Sequence, residues 1–380
     1  MRRKLFAFSL LLSVLFSVSC IREEALNAEA DILACTLEGN VLNREAIISN
    51  DQVILQLKKS TDVTKLAPQF VLTPGATITP ESGSVHDFST PQTYVVTSED
   101  RAWKKTYTVM VTTSTNVINH FSFEEVDWKL NHKGEKEYQI LYYTNPFTSD
   151  RFAWGSGNAG YAMTGMAKSA SDYPTYQSVL GGFDKRCAVL TTRKTGSFGA
   201  MANMPIAAGN LFIGTFDVDN ALTNSLKATR FGMPWGAAPK RIHGWFKYRS
   251  GDTFYELDKS RKDKMREVPG KRDQFNIYAV FYEVTDDMKT LDGENYMSED
   301  NQNIVSVAQI APEDVIETEE WTNFSIDFKY RAGKTIDQEK LENGLYNLAI
   351  VFTSSVHGDT FSGAPDSMLQ IDEVHLDYED

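Results

Sequence analysis

The sequence predicts an all-β protein made of two successive β-sandwich domains. Three observations carry this prediction. Hydrophobic and polar residues alternate over many short stretches, turn-forming residues separate those stretches, and few stretches have the 3.6-residue periodicity of a helix. A chain of 380 residues is also long enough to form two hydrophobic cores.

Residues 1–19 are predicted to be a secretory signal peptide. The stretch MRRKLFAFSLLLSVLFSVSC has a basic start, followed by an apolar run that is too short to span a bilayer. The run ends at Ser19-Cys20, which resembles the cleavage site of bacterial lipoproteins, although Ser17 stands where leucine is usual. The resemblance implies that Cys20 carries a lipid; ordinary secretion is the alternative.

Residues 20–30 are then interpreted as a lipidated tether. They are polar and acidic, and they are similar to the tethers of surface-exposed lipoproteins in some Gram-negative anaerobes. A plain flexible leash would have the same composition. We therefore expect an outer-membrane lipoprotein that is exposed at the cell surface.

The charge of the mature chain argues against nucleic acid as a partner. The sequence has 38 basic and 51 acidic residues, and residues 1–19 hold three of the basic ones, so the remainder carries 35 − 51 = −16. Such a chain repels nucleic acid and anionic lipid headgroups. Cys35 and Cys187 fall in different candidate domains, and neither these cysteines nor the six histidines have the spacing of a metal site.

Residues 31–115 are predicted to form an immunoglobulin-like sandwich. Turns separate the short candidate strands ILACTLEG, QVILQLKK, FVLTPGATITP, TYVVTSED and KKTYTVMVT. Val53, Leu55 and Leu57 recur at every second position, as expected of a half-buried strand. The segment resembles the immunoglobulin-like modules that precede catalytic or binding domains in bacterial surface lipoproteins, which implies that it is a spacer.

Residues 118–380 are predicted to form a larger, two-sheet jelly roll. Long aromatic strands dominate this part, among them HFSFEEVDW, YQILYY, RIHGWFKYR, NIYAVFYEV, NFSIDFKY and LQIDEVHLDY. In NFSIDFKY, the side chains of Phe324, Ile326, Phe328 and Tyr330 share one face. With few helical stretches and no internal repeat, the pattern fits a jelly roll better than a parallel sheet or a repeat array.

The last candidate strand changes phase in its middle. Leu369 and Ile371 lie on one face, whereas Val374 and Leu376 fall in phase with Asp372. A carboxylate therefore occupies a position that should face the core.

Glu124 offers a partner for Asp372, because it has the same phase as Val126 and Trp128 in an early strand. The pair resembles that of many carbohydrate-binding jelly rolls, in which an early Phe-Glu strand lies beside a last strand containing Asp-Glu-Val. The resemblance implies that the two carboxylates bind a structural calcium ion, which takes several oxygen ligands. Alternatively, Asp372 accepts backbone hydrogen bonds at a β-bulge. No cofactor is expected to be required.

The candidate sugar-binding residues are Trp154, Asn158, Trp235 and Asp359. Sugars bind through aromatic faces that cover their C–H surfaces and through amides or carboxylates that pair with hydroxyls. WGSGNAG combines a ring, an amide and glycines, FGMPWG places a tryptophan in a loop, and SSVHGDTFSG has the polar groups of a pocket mouth. The alternative for each ring is a place in the core, and for the last segment a turn.

Several separate segments of the second domain, including YYTNPFTSDRFAWGSGNAG, RFGMPWGAAPKRIHGWFKYRSGD and FTSSVHGDTFSGAPDSMLQIDEVHLDY, resemble the putative carbohydrate metabolism domain of surface lipoproteins from glycan-degrading gut bacteria. The resemblance covers residues 118–380. Met233 and Trp235 depart from it, since Arg and Phe are usual there, and so does Pro365-Asp366. It implies a jelly roll related to carbohydrate-binding and glycoside hydrolase modules.

Three functions remain open on the sequence. The first is a non-catalytic module that captures an oligo- or polysaccharide, together with other glycan-utilisation proteins. The second is a glycoside hydrolase, which usually needs two carboxylates roughly 5–10 Å apart; Glu256, Asp258, Glu283 and Asp359 are possible members, and no pair stands out. The third is a structural or adhesive surface component.

Overall fold

The computed structural model describes residues 26–49, 51–113, 117–131, 133–144 and 151–379. With 43% strand and 10% helix it confirms the all-β prediction. No helix within these residues is both long and apolar enough to cross a bilayer. The predicted signal peptide and Cys20 lie outside the described residues, so both remain predictions.

Seven strands form the N-terminal sandwich: β1 (Ile32–Thr36), β2 (Ile47–Ser49), β3 (Gln52–Gln56), β4 (Gln69–Leu72), β5 (Thr77–Thr79), β6 (Gln92–Thr97) and β7 (Lys104–Thr112). One sheet has the order β2-β3-β7-β6-β5, with β3 and β7 parallel, and β1 pairs with β4. Val53, Leu55 and Leu57 are at most 1% exposed and lie in the core of this domain. The alternation read from the sequence therefore identifies the buried face of β3 and its continuation.

The second domain contains the remaining strands and the described helices. The strands are β8 (His120–Phe121), β9 (Glu125–Leu130), β10 (Lys136–Thr144), β11 (Arg151–Ala153), β12 (Thr175–Ser178), β13 (Cys187–Thr191), β14 (Arg193–Lys194), β15 (Ile206–Ala207), β16 (Asn210–Phe212), β17 (Gly214–Phe216), β18 (Thr229–Phe231), β19 (Met233–Pro234), β20 (Pro239–Arg249), β21 (Tyr255–Leu257), β22 (Met265–Glu267), β23 (Asn276–Glu283), β24 (Ile304–Gln309), β25 (Thr318–Asp327), β26 (Lys329–Tyr330), β27 (Tyr346–Thr353) and β28 (Met368–Tyr378). The α-helices are α1 (Asn158–Ala162), α2 (Gly196–Met201), α3 (Val218–Thr223), α4 (Ser225–Ala228) and α5 (Gln338–Glu342), and 3₁₀ turns span Ala170–Asp172, Pro312–Asp314 and Gly358–Thr360.

Two antiparallel sheets pack on each other in this domain. Sheet I has the order β12-β13-β28-β20-β25, with β8 also paired to β28; sheet II has the order β16-β27-β23-β24-β26, with β19 also paired to β27. Phe246 and Ile371 of sheet I and Ile277 and Ile350 of sheet II belong to one buried cluster. The first and last strands of the domain, β8 and β28, lie side by side, as expected of a jelly roll.

Sheet II is covered on its outer face as well. Tyr278, Val280 and Tyr282 of β23 form a second buried cluster with Phe231 and Leu291, which come from the segments around β18 and after β23. This double burial explains why NIYAVFYEV is continuously apolar instead of alternating. It also creates a layer of loops and short helices outside sheet II.

The segment NFSIDFKY is divided between the two sheets. Phe324 and Ile326 lie in β25 of sheet I, whereas Tyr330 lies in β26 of sheet II and is 37% exposed. The prediction of one strand with a single buried face is therefore wrong at its C-terminal end. The chain leaves sheet I at Phe328, whose backbone N–H donates to the Lys240 carbonyl.

The phase change in the last strand is a β-bulge. One residue of β20, Gly244, stands opposite two residues of β28, Glu373 and Val374. Glu373 has a left-handed φ of 46°. A Cβ at Gly244 would lie only 3.0 Å from the Glu373 oxygen and the Val374 Cα, so a larger residue there would push the two strands apart by a few tenths of an ångström.

Asp372, at the bulge, is fully buried and points away from solvent. Its carboxylate accepts hydrogen bonds from the backbone N–H groups of Asp184 at 3.0 Å and of Glu373 at 2.9 Å. Burial raises the pKa of Asp372 to about 6, although these backbone hydrogen bonds act in the opposite direction. The carboxylate thus ties the loop before β13 to the last strand.

The two domains meet at a buried arginine of the N-terminal domain. Arg44 is 1% exposed, and its guanidinium donates to the Gly232 carbonyl at 2.7 Å and to Thr215 Oγ1 at 3.2 Å, and contacts the Met233 sulfur. Burial lowers the pKa of this guanidinium. Around it, Lys289 Nζ donates to a backbone carbonyl of the N-terminal domain at 3.1 Å.

We predict that Arg44→Ala lowers the free energy of unfolding by about 2 kcal/mol, because it leaves a cavity and a buried carbonyl without its donor. Urea unfolding followed by tryptophan fluorescence measures this change. Lys59→Ala, at an exposed position of the same domain, is the control and should change stability by less than about 0.5 kcal/mol. Equal stabilities of the two variants would show that Arg44 does not hold the interface.

We also predict a pH signature for Asp372. Its pKa is higher in the folded than in the unfolded chain, so its contribution to stability is complete below the unfolded pKa and is lost as pH rises through about 6. The stability advantage of the native protein over Asp372→Asn should therefore shrink by about 1–3 kcal/mol between pH 4 and pH 7. Unfolding in urea at several pH values measures this; a difference that stays constant, as expected for exposed Asp252→Asn, contradicts it.

Candidate functional site

A pocket of about 240 Å³ lies in the layer outside sheet II. Tyr278 of β23 and Val351 of β27 line its sheet side, and residues of α1, α2, α3 and α4 line the rest. The turn Gly358–Thr360 completes it. The pocket therefore exists because sheet II carries a second layer.

Aromatic rings and a few polar groups line the pocket. The rings of Tyr278 and Tyr296 pack with their centroids 5.3 Å apart, and the amides of Asn210 and Asn276 belong to the same lining. Asp359 is exposed in the turn at the pocket. Burial, and then the negative charge of Asp359, raises the pKa of Tyr296. Of the predicted sugar-binding residues, Asp359 is the one whose side chain is exposed at this pocket.

A buried carboxylate holds the loop that carries Asp359. Asp273 is 3% exposed and accepts hydrogen bonds from Ser355 Oγ at 2.5 Å, Ser367 Oγ at 2.8 Å and the Ala364 N–H at 2.7 Å. These donors lie on both sides of the turn at Asp359. Burial raises the pKa of Asp273. The sequence segment that was expected either to line a pocket or to form a turn does both.

Trp154 lies in the core, which corrects its expected role as a sugar platform. Its ring is 3% exposed and packs within about 6 Å of Phe121, Phe123, Tyr143 and Phe352, measured between ring centroids. A ring enclosed in this way has no free face to cover a sugar.

Asn158 is also fully buried and serves the fold rather than a ligand. Its side-chain amide donates to the Thr175 carbonyl at 2.7 Å and accepts from the Thr175 N–H at 3.1 Å. Gly157 and Gly160 of the same segment do line the pocket, and the Gly157 N–H donates to Asn210 Oδ1 at 2.7 Å. WGSGNAG therefore builds the pocket wall through its backbone.

Trp235 is a core residue as well, in contrast to the prediction. The ring is fully buried, its Nε1–H donates to the Tyr378 hydroxyl at 3.1 Å, and its backbone N–H donates to the Tyr346 carbonyl at 2.8 Å. The loop context of FGMPWG was misleading because β19 brings this segment beside β27.

Glu124 and Asp372 both accept hydrogen bonds from the loop before β13, and these contacts differ from those of a calcium site. Glu124 accepts from the Arg186 N–H at 3.0 Å, and its other oxygen lies 3.8 Å from Arg186 Nε. Asp372 accepts from the Asp184 N–H. Each carboxylate thus accepts a backbone N–H of the loop, whereas Ca²⁺ takes six to eight oxygen ligands. These contacts fit the hydrogen-bonding alternative, and calcium binding stays a prediction.

A second group of rings lies on the outer face of sheet I. Phe183 stacks on Trp245 with centroids 4.1 Å apart, and Trp321 meets Phe183 edge to face at 6.4 Å. Lys247 Nζ lies 5.3 Å from the centroid of Trp321. The Nε1–H of Trp321 donates to the Gly181 carbonyl at 3.2 Å, and the preceding Leu180 is 80% exposed. We call Leu180, Phe183, Trp245 and Trp321 the aromatic patch. None of these four residues lines the pocket outside sheet II, so the patch is the weaker candidate for holding a sugar.

The histidines are closer in space than their spacing in the sequence indicates. His120, His243 and His375 lie at paired positions on the neighbouring strands β8, β20 and β28. The ring centroids of His120 and His375 are 4.3 Å apart, and those of His375 and His243 are 5.2 Å apart. Burial, and then the two neighbouring histidines, lowers the pKa of His375.

Sequence reasoning missed Tyr278, Tyr296 and this histidine row. The tyrosines gave little signal, because Tyr278 sits in a continuously apolar strand and Tyr296 in a loop. The histidines did give a signal in the sequence, because His120 and His375 must face the same side of sheet I if the first and last strands pair.

Comparisons with known proteins agree with this architecture. Residues 122–377 match the family model described as the putative carbohydrate metabolism domain, and residues 32–111 match the model described as "SGBP, N-terminal". A comparison with curated proteins finds no match.

Two solved structures are similar over much of the chain. One is described as a putative glycoside hydrolase from Bacteroides thetaiotaomicron; it is 48% identical, has a TM-score of 0.80, and the match covers 94% of this chain and 99% of that one. The other is described as a putative glycoside hydrolase from Bacteroides vulgatus; it is 41% identical, has a TM-score of 0.62, and the match covers 70% of this chain and 100% of that one. Because the family model matches more than half of the chain, this protein belongs to the family of the putative carbohydrate metabolism domain.

Proposed function

We propose that the second domain captures a carbohydrate by binding a terminal sugar unit in the pocket outside sheet II. The observation that carries this proposal is the combination of aromatic rings, amides and one exposed carboxylate around a cavity of about 240 Å³. Pockets for drug-sized ligands are larger, roughly 300–1,000 Å³, so this one suits the end of a glycan better than a long internal segment.

The chemistry of the lining supports a sugar. The half-buried ring of Tyr296, which packs on the buried Tyr278, can cover a C–H face, and the carboxylate of Asp359 can accept hydrogen bonds from two neighbouring hydroxyls. The Asp273 network keeps the Asp359 turn in place before a ligand arrives, which lowers the entropy lost on binding. The family to which the chain belongs is carbohydrate-related as well.

The number of carboxylates at the pocket favours capture of a glycan over its hydrolysis. Asp359 is the single Asp or Glu among the described residues that line the pocket. Hydrolysis by the common mechanisms needs a second carboxylate across the scissile bond. The proposed activity is therefore binding without turnover.

We place this activity at the cell surface as part of the same proposal. A lipid on Cys20 and the tether 20–30 would hold the protein on the outer membrane, where it would deliver glycan to other proteins of a utilisation system. The strongly negative mature chain suits a neutral or cationic ligand better than an anionic one.

A glycan array on the protein produced from residue 21 tests the proposal, followed by titration calorimetry with the strongest hit. We expect Asp359→Asn and Tyr296→Ala each to weaken binding at least tenfold, and Tyr296→Phe to weaken it less, because the ring is kept. Asp252→Asn, another exposed carboxylate, is the matched control and should bind normally.

Other results would overturn the proposal in distinguishable ways. Binding that survives the pocket variants but is lost in Trp321→Ala would move the site to the aromatic patch. Cleavage of a bound glycan, detected by mass spectrometry after overnight incubation, would make the protein a hydrolase. Absence of binding to every glycan on a broad array would favour the structural or adhesive function.

A further inference from the structure

The histidine row on the outer face of sheet I is built by strand pairing and not by chance contact of loops. His120 of β8 is directly opposite His375 of β28, and His375 is directly opposite His243 of β20. The three rings are nearly parallel, with interplanar angles of 7° and 12°. Their positions are therefore fixed by the hydrogen-bond ladders of three strands.

The bulge adds a carboxylate to this row. Glu373 lies at the left-handed position of the bulge, and its Oε2 is 2.8 Å from His120 Nε2 and 3.9 Å from His375 Nε2. One potential ligand atom from each of His120, Glu373 and His375 lies within 4.8 Å of the others. A backbone conformation that is unfavourable for glutamate is thus kept at the point where its carboxylate meets two imidazoles.

We infer that His120, His375 and Glu373 form a binding site for a transition-metal ion of the Zn²⁺ class. Two imidazole nitrogens and one carboxylate suit Zn²⁺, Cu²⁺ or Ni²⁺, whereas Ca²⁺ and Mg²⁺ prefer sites made only of oxygen. Because an imidazole binds a metal in the plane of its ring, the stacked His120 and His375 rings must turn about their side-chain torsions when the ion binds. The three protein ligands then leave a coordination position for water or another ligand.

The surroundings favour a cation at this site. His243 stacks on His375, and its Nε2 lies 3.6 Å from Asp377 Oδ1, which holds its ring in the row. The charged groups that act on Glu373 and His375 include Asp372, Asp377 and Lys185, and the Lys185 side chain is 72% exposed and paired with Asp184 at 3.1 Å. The site lies on sheet I, whereas the proposed sugar pocket lies outside sheet II, so either proposal can fail without the other.

Calorimetric titration with ZnCl₂ at pH 7.5 tests the inference, on protein produced from residue 21 and purified without a polyhistidine tag. We expect one Zn²⁺ per chain and no heat from CaCl₂ or MgCl₂. His120→Ala, His375→Ala and Glu373→Gln should each weaken Zn²⁺ binding at least tenfold. His86→Ala, in the N-terminal domain, is the matched control and should leave binding unchanged.

A spectroscopic readout keeps the test independent of changes in folding. Co²⁺ bound by two imidazoles and a carboxylate should give visible absorption bands that are lost in His120→Ala, while circular dichroism confirms that the variant is folded. Absence of Zn²⁺ heat in the native protein would overturn the inference. Equal Zn²⁺ affinity in the native protein and in folded His120→Ala would overturn it too.

Discussion

Strand β28 forms hydrogen-bonded ladders with β13, β20 and β8, and the bulge at Glu373 and Val374 lets it do so. One extra residue lies opposite Gly244, so the side chains before and after it face the core on both sides of the irregularity. Leu369 and Ile371 remain buried in the first half, as do Val374 and Leu376 in the second. Without the extra residue, one half of the strand would turn its apolar side chains to solvent.

The same bulge organises the outer face of sheet I. The Asp372 carboxylate accepts a hydrogen bond from the Asp184 N–H, and this bond fixes the loop that brings Phe183 over Trp245. Glu373, the next residue, reaches His120 on the other side. A single irregularity therefore sets the aromatic patch and the histidine row at once. The bulge also places Asp372 on the outer face beside Trp245, where the loop that it holds buries it.

Sequence periodicity predicted which residues of a strand are buried, but it did not predict which strands pair with one another. The alternation in β3 and the continuous apolar run of β23 can be read without a structure, because side-chain burial follows the backbone repeat. NFSIDFKY could not be divided, since alternation does not say which sheet a residue joins. Likewise Trp154 and Trp235 had loop-like neighbours, but a large ring beside glycines fits a core position as well as a binding platform. Asp359 was predicted from a polar segment at a strand end, where turn residues are exposed by default, and it lies exposed at the pocket.

The N-terminal domain is more than a spacer in this arrangement. Arg44 donates to the Gly232 carbonyl, and Gly232 directly follows Phe231, whose ring lines the pocket. Lys289 binds a backbone carbonyl of the N-terminal domain from the segment that also leads to Tyr296. The contacts between the domains thus support the wall of the proposed sugar site. A hinged spacer would allow the pocket to change its orientation relative to the N-terminal domain. A buried arginine between the two domains restricts that orientation.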